Sequence, residues 1–271
     1  MTAHDISPRL VVIKGGGDVG SAVAHLLFTN GYQPVIIESP NPATTRRNMS
    51  FATAVFEGTI ELEGVQAERV ETTEELSNVL EQRERIPVYI GPTETVVTTF
   101  APKILIDARM RKRDIPESQI DQAELVIGLG PGFRAGTTVH VVVETSRGLN
   151  LGKVITSGSA EAYTGKPIAI QGYGRERYSY APVSGIFRTT LDVGAQVEVG
   201  IVLGRVGEAE VKAQLSGIIR GITKDGIVVT QGTKIAEVDP RGQEEFVSGI
   251  AERPRAIAQG VLEAVQCFAA D

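Results

Sequence analysis

Two glycine-rich turns and the charged residues near them carry the clearest chemistry in this chain. Arg9 to Lys14 is a short apolar run that passes straight into Gly15-Gly16-Gly17-Asp18-Val19-Gly20, a G-x-G-x-x-G spacing. A turn of this kind binds pyrophosphate: Gly15 permits the tight bend, Gly17 leaves no Cβ between backbone amides and phosphate, and Gly20 lets the next helix pack close to the strand. The N–H groups at that helix N-terminus then face the anion. The surroundings agree with the motif. An apolar-periodic stretch (Val19, Val23, Ala24, Leu26, Leu27) follows, Asn30-Gly31 closes it, and Pro34 to Glu38 reads as a second strand ending in an acid. Glu38 is placed to accept hydrogen bonds from a ribose. Arg46 and Arg47 offer a guanidinium pair for a 2′-phosphate or another anionic ligand, the plainer alternative being a solvated loop.

The second turn, Gly128 to Gly136, follows the apolar run beginning at Glu124. Ligands of open α/β sheets bind beyond the carboxyl ends of the strands, so Asp107, Arg109, Gly128, Gly130, Gly132 and Arg134 are expected to form the far wall of the Gly15 pocket. A tight strand exit with Arg134 in solvent is the alternative. No acid, base or nucleophile constellation stands out, so no catalytic residue is assigned. His140, Lys14 and Tyr163 are the candidates for a proton donor.

Composition narrows the classes. The 271 residues carry a net charge of -6, and the basic run Arg109-Met110-Arg111-Lys112-Arg113 is local, which argues against a nucleic-acid partner. One cysteine, Cys267, excludes an internal disulfide framework, and with only three histidines a multi-ligand metal site would need carboxylates, so none is assigned. Without an apolar stretch of spanning length, a cytoplasmic location and no membrane partner are expected.

The elements that position these residues read as α/β in the first part. Met49 to Phe56 and Glu74 to Gln82 look helical, Thr59–Leu62 and Val65–Val70 look like an inserted hairpin, and Ile86–Ile90, Lys103–Asp107 and Glu124–Gly128 are strands. Continuous apolar strands are buried on both faces, which favours a parallel sheet between helices. Residues 1–175 are therefore expected to form a Rossmann-like, doubly wound nucleotide-binding domain.

Residues 176–242 change character and contain a repeat. A shift of 32 positions superposes Ala181 on Ala213, Ser184-Gly185-Ile186 on Ser216-Gly217-Ile218, Gly194 on Gly226, Val197 on Val229, Gly200 on Gly232 and Val206 on Val238. The repeat resembles the biotinyl/lipoyl-like barrel-sandwich hybrid, but the joining tip at Gly207-Glu208-Ala209 has no lysine to carry a prosthetic arm. A β-module for packing or partner docking is expected instead. In residues 243–271, Ile257, Val261, Leu262 and Val265 share one side of a helix that is expected to pack back on the first domain.

Three stretches together carry a resemblance: GGGDVGSAVAHLLFTNGY with IIESPNP and RR, then VIGLGPGFRAGTTVHVVVETSRG, then VDPRG with PRAIAQGVLEAV. The chain resembles the YqeB family of selenium-dependent molybdenum hydroxylase accessory proteins, which is similar in its Rossmann part to accessory factors that help mature xanthine dehydrogenase. The resemblance implies handling of the molybdopterin cofactor, or of its sulfur or selenium modification, before transfer to a hydroxylase. It places Gly15, Gly17, Gly20, Glu38, Arg46, Arg47, Gly128, Gly130, Gly132 and Arg134 in the family's pocket, and with Gly16, Asp18, Val19, Asp107 and Arg109 from the turns and strand ends these make up the expected site for NAD(P) or a molybdopterin-type nucleotide. The implied partner is the hydroxylase, a cofactor-sulfurating or selenating enzyme, or a second copy of the chain. An NAD(P)-dependent oxidoreductase of a small substrate is the alternative: it explains Gly15 to Glu38 and leaves the β-module without a task.

Overall fold

The computed structural model describes residues 9–111, 116–165 and 167–270, and they fall into two compact units. The first takes in the described residues within Met1–Pro40, Ser50–Tyr163 and Ile250–Asp271, and the second takes in Asn41–Met49 and those of Thr164–Gly249.

In the first unit, β1 (Leu10–Lys14) and β2 (Gln33–Glu38) flank α1 (Asp18–Thr29) in the sequence. Next come α2 (Ala54–Glu57), the hairpin β3 (Thr59–Leu62) and β4 (Val65–Val70), α3 (Thr73–Gln82), β5 (Ile86–Ile90), α4 (Thr93–Phe100), β6 (Ile104–Asp107) and β7 (Leu125–Leu129). The short strands β8 (Arg134–Ala135), β9 (Val141–Val143), β10 (Val154–Ile155) and β11 (Gly158–Ser159) follow, and α5 (Glu252–Ala270) completes the unit. Nine strands make one sheet in the order β10-β9-β7-β6-β1-β2-β5-β4-β3, while β8 and β11 form a separate ribbon. The seven inner strands run parallel, and β3 and β10 pair antiparallel at the two edges.

Alternation along β1 shows how the sheet is sandwiched. Val11 and Ile13 join one core cluster with Val19, Val23 and Leu27 of α1 and Ile257, Val261 and Val265 of α5. Leu10 and Val12 join the other, with Leu76 and Leu80 of α3 and Val96 and Phe100 of α4. Helix α3 starts on a capping box, Thr72 Oγ1 accepting from the Glu75 amide at 3.1 Å while the Glu75 carboxylate accepts from the Thr72 amide. Thr72→Ala is expected to cost about 1 kcal/mol in thermal denaturation, the usual loss for an N-cap hydroxyl.

The second unit holds β12 (Tyr178–Tyr180), β13 (Gly185–Arg188), β14 (Gln196–Val197), β15 (Val202–Val206), β16 (Ala209–Lys212), β17 (Gly217–Ile222), β18 (Val228–Val229) and β19 (Lys234–Asp239). They form two four-stranded antiparallel sheets, β12-β19-β17-β14 and β16-β15-β13-β18. The shift of 32 carries β13, β14 and β15 onto β17, β18 and β19, so the two sheets have corresponding strand orders. Gly185 and Gly217, paired by that shift, have φ of +158° and +155°.

These sheets correct the expected architecture of a Rossmann-like doubly wound domain followed by a barrel-sandwich hybrid. The first unit is built on a large mixed sheet: the β3–β4 hairpin, read from sequence as an insertion, is hydrogen-bonded into it, and β10 adds a further antiparallel edge. Apolar runs report burial of the central strands and are silent about what closes the edges. In the second unit each set of four strands keeps to its own sheet. A repeat determines which strands correspond and leaves open how the sheets close. Asn41–Met49 groups with the later β-strands in the second unit. Among the described residues, no helix is long and apolar enough to cross a membrane.

Candidate functional site

Four parallel strands of the first unit end level with one another. Ile37 of β2 lies beside Lys14 of β1, Lys14 beside Asp107 of β6, and Asp107 beside Gly128 of β7. The turns that leave this row face the same end of the sheet, where a parallel sheet collects ligands.

Within the first turn each glycine has its own task. Gly15 adopts φ +94°, and a Cβ there would stand 3.2 Å from the Arg109 Cα, so the end of β6 closes over it. The Gly16 carbonyl accepts from Ser21 Oγ (2.9 Å), Ser50 Oγ (2.7 Å) and the Ala52 amide (2.9 Å), and its amide donates to Glu38 Oε2 at 2.8 Å. Gly20 has no room: a Cβ would fall 1.9 Å from the Gly15 carbonyl oxygen. Gly17 differs from both. It caps α1 in an extended conformation without a side-chain cap, and a Cβ there would meet nothing within 4 Å. The fold makes no steric demand for glycine at this position. Asp18 Oδ1 accepts from the Val19 amide at 3.0 Å, placing a carboxylate in the first turn of the helix.

Around the row lies a buried polar network. Asp107, 1% exposed, accepts from the Arg109 amide and guanidinium, from Arg111 at 3.2 Å and from Gln119 Nε2 at 2.9 Å. Burial works against its ionisation, yet the hydrogen bonds from Arg109 and Gln119 hold the carboxyl below the usual range. Arg109 and Arg111 also reach Glu117 at 3.0 and 2.9 Å, and the Arg111 hydrogen bond is the leading cause that draws the Glu117 carboxyl down to about 2. Lys14 Nζ donates to Gln119 Oε1 at 2.7 Å and Gln122 Oε1 at 2.8 Å. Burial, then the Arg109 charge, pushes this amine below its ordinary value.

The structure thus brings together Gly15 to Gly20, Glu38, Asp107, Arg109 and Gly128. The other expected residues serve elsewhere. Arg46 and Arg47 belong to the second unit, where Arg46 donates to both Glu237 oxygens at 2.9 and 3.0 Å, and Arg47 donates to Asp192 Oδ1 at 2.6 Å and the Ile222 carbonyl at 2.9 Å. Their guanidinium groups tie Asn41–Met49 to the β-strands of that unit. A Cβ on Gly128 would lie 2.3 Å from the Phe133 ring, and one on Gly130 would lie 2.4 Å from Thr145 Oγ1, so packing accounts for both. Gly132 adopts φ +96°, and Arg134 is exposed on β8. His140 Nδ1 accepts from the Val126 amide at 3.0 Å, a structural bond that joins β7 to the residue before β9. Sequence reasoning missed Arg111, Glu117, Gln119 and Gln122, which have no motif spacing of their own.

A cavity of about 670 Å³ opens at the other end of the sheet between Arg9, Asn30, Lys103, Glu124 and Phe268. Its walls hold one exposed ion pair, Lys103 with Glu124, and the polar chemistry of the unit lies at the carboxyl end of the strands. Among the described residues, no cluster of three His, Cys, Asp or Glu side chains could hold a metal ion.

No family model matches the chain. The uncharacterized protein YqeB of Escherichia coli (strain K12) is 39% identical to it over 263 residues, covering 97% of this chain and 48% of that protein. The chain spans about half the length of the curated relative it matches. Among solved structures, the product-bound ectoine utilization protein EutE (DoeB) from Ruegeria pomeroyi is 13% identical, with TM-score 0.25 over 86% of this chain and 85% of that one. A succinylglutamatedesuccinylase/aspartoacylase from Rhodobacter sphaeroides is 11% identical, with TM-score 0.23 over 86% of each chain. Likeness at that level carries no argument about chemistry.

Proposed function

We propose that this chain, 39% identical over 97% of its length to YqeB of Escherichia coli, belongs with that protein in one family, binds the pyrophosphate of a dinucleotide, NAD(P) or a molybdopterin-type nucleotide, and serves as an accessory protein in the maturation of a molybdenum hydroxylase. The observation that supports this reading is the opening above Gly17: a glycine that the fold does not need, set where a Cβ would stand between the α1 amides and an anion. The residues fit such a group. The first turn of α1 would take the phosphates, Arg109 would offset their charge beside Gly15, and Glu38, whose two oxygens each already accept one backbone amide, keeps lone pairs for ribose hydroxyls. The Asp18 carboxylate in that turn opposes a bare phosphate and favours a ligand whose sugar and ring supply much of the binding.

A maturation factor has to hold its cofactor and meet a client, while the cofactor carries the chemistry. The client in this proposal is the hydroxylase itself or the enzyme that adds sulfur or selenium to the cofactor. Calorimetry of the full chain with NAD, NADP and a molybdopterin dinucleotide tests the binding step. Gly17→Val is expected to weaken the bound nucleotide at least about tenfold with an unchanged melting temperature. Equal affinity in the variant would place the ligand elsewhere.

One observation favours a second reading, an NAD(P)-dependent oxidoreductase of a small substrate. Lys14 is a buried amine beside the turn, held by two glutamine oxygens and pushed below its ordinary value. A proton donor of that kind suits reduction of a carbonyl. Substrate-dependent loss of NAD(P)H absorbance that Lys14→Met abolishes would favour this reading over the first.

A further inference from the structure

The second unit contains a cationic group that its own fold satisfies only in part. Strand β19 presents Glu237 and Asp239 two residues apart on one face, both fully buried. Glu237 receives Arg46, Arg177 and Lys234, and Asp239 is held by Arg241 through three hydrogen bonds of 2.6 to 3.1 Å. Both acids of this face are thereby paired. Arg220, from the neighbouring strand β17, comes in as a further guanidinium, and among the described residues its one hydrogen bond is a long 3.4 Å contact to Asp239 Oδ2. The side chain is nine-tenths buried, and its Nε has no partner. The Nε of Arg177, also buried, has none either.

Backbone geometry aims this side chain. The β17–β19 register shifts between Ile219 and Gly221, so Arg220 is the extra residue of a bulge. Bulges re-aim side chains and gather beside functional sites. The internal repeat shows that the architecture itself does not ask for a buried cation here. Under the 32-residue shift Arg220 corresponds to Arg188 and Glu237 to Arg205, and those two side chains are 64% and 51% exposed. One half of the repeat solvates its charges, and the other has drawn them inside.

A buried guanidinium whose Nε has no partner and whose one ion pair, to Asp239, is long is costly unless a further anion completes it. We propose that Arg220 and Arg177 line a site for a phosphoryl group in the second unit, distinct from the Gly17 turn. A phosphoryl dianion suits the forked donors better than a carboxylate, because it offers three acceptor oxygens and twice the charge to cations that the two carboxylates of this face leave unsatisfied. Burial, and next the Arg46 charge, already press the Arg220 guanidinium below its ordinary value, a pressure that a bound anion relieves.

The test uses the full chain carrying Gly17→Val, so that the first turn contributes nothing, titrated calorimetrically with inorganic phosphate and separately with glycerol phosphate. Heat with either probe is expected, and Arg220→Gln is expected to weaken it at least about tenfold while Arg220→Lys, which keeps the charge and loses the fork, weakens it less. Binding of both probes or of the monoester alone identifies a phosphate ester as the ligand class, and binding of inorganic phosphate alone identifies the free ion. Without phosphate, Arg220→Gln is expected to melt no lower than the parent, because it removes an unsatisfied buried charge. The proposal is overturned if neither probe binds, if Arg220→Gln binds as the parent does, or if that variant is destabilised in phosphate-free buffer, which would make Arg220 a structural staple.

Discussion

Gly20→Ala is expected to lower the stability of the first unit by about 3 kcal/mol or more, read as a displaced urea midpoint or melting temperature. The added methyl would fall 1.9 Å from the Gly15 carbonyl oxygen and 3.3 Å from the Ala108 Cβ. No rotamer relieves the first contact, because both sides of it are tied to the main chain. Helix α1 would have to withdraw from β1. That movement pulls on the Ser21 bonds to the Gly16 and Gly17 carbonyls and on the packing of Val19, Val23 and Leu27 in the core. Gly17→Ala, three residues earlier, is expected to change the same midpoint by less than about 1 kcal/mol, since its methyl enters open space at an ordinary φ of -64°. A Gly20→Ala chain that unfolds together with the parent would show that the turn can open without cost.

In the second unit the largest loss is expected from Glu237→Gln, about 3–5 kcal/mol near neutral pH, because it leaves buried guanidinium groups facing an uncharged amide. The sign of its pH dependence follows from the carboxyl. Burial works against ionisation, but the charges of Arg46 and Lys234 and the Arg46 hydrogen bond hold Glu237 well below the ordinary carboxylate range. A group depressed in the folded state contributes stability above its unfolded value, about 4.3, and gives it back as the pH falls below that. The gap in melting temperature between parent and Glu237→Gln should therefore be widest near pH 7 and shrink steadily on acidification below about pH 5. A gap that stays constant down to about pH 3 would mean that the carboxylate charge contributes nothing to the fold.

These two residues also mark what could and could not be seen in the sequence. The crowding at Gly20 follows from a local spacing, because five residues of turn and helix decide what stands above the Gly15 carbonyl. The same holds for the repeat in the β-strands, where glycines recur at fixed offsets. Arg46 and Arg47 followed no such logic. Their position after an acid-terminated strand suggested a phosphate grip, yet Arg46 is bound by Glu237, 191 positions further on, and nothing local announces that partner. The Asp107 network was half visible: Asp107 and Arg109 end a strand, but Gln119 and Gln122 are ordinary polar residues until the sheet brings them to Lys14. The fold class went astray at its edges, where β3, β9 and β10 are short and β4 alternates between buried and exposed residues, so their hydrophobic pattern distinguishes poorly between an inserted hairpin and a member of the main sheet.

The division of the chain between its units has a consequence for how it comes into being. The first unit is assembled from three stretches and the second from two, and each encloses part of the other along the sequence. Helix α5, which supplies Ile257, Val261 and Val265 to the core of the first unit, is made after the β-strands of the second. A growing chain emerging at roughly 5–20 residues per second therefore exposes the α5-facing side of the nine-stranded sheet throughout synthesis of the whole β-module. Arg46 and Arg47 likewise wait for strands that follow more than a hundred residues later. Contacts of such long sequence separation slow folding and prolong the exposure of unpaired edges. The chain's yield in a cell should accordingly depend on holdase chaperones more than its final stability would suggest, and cutting it between the two units should give neither as an independent folder.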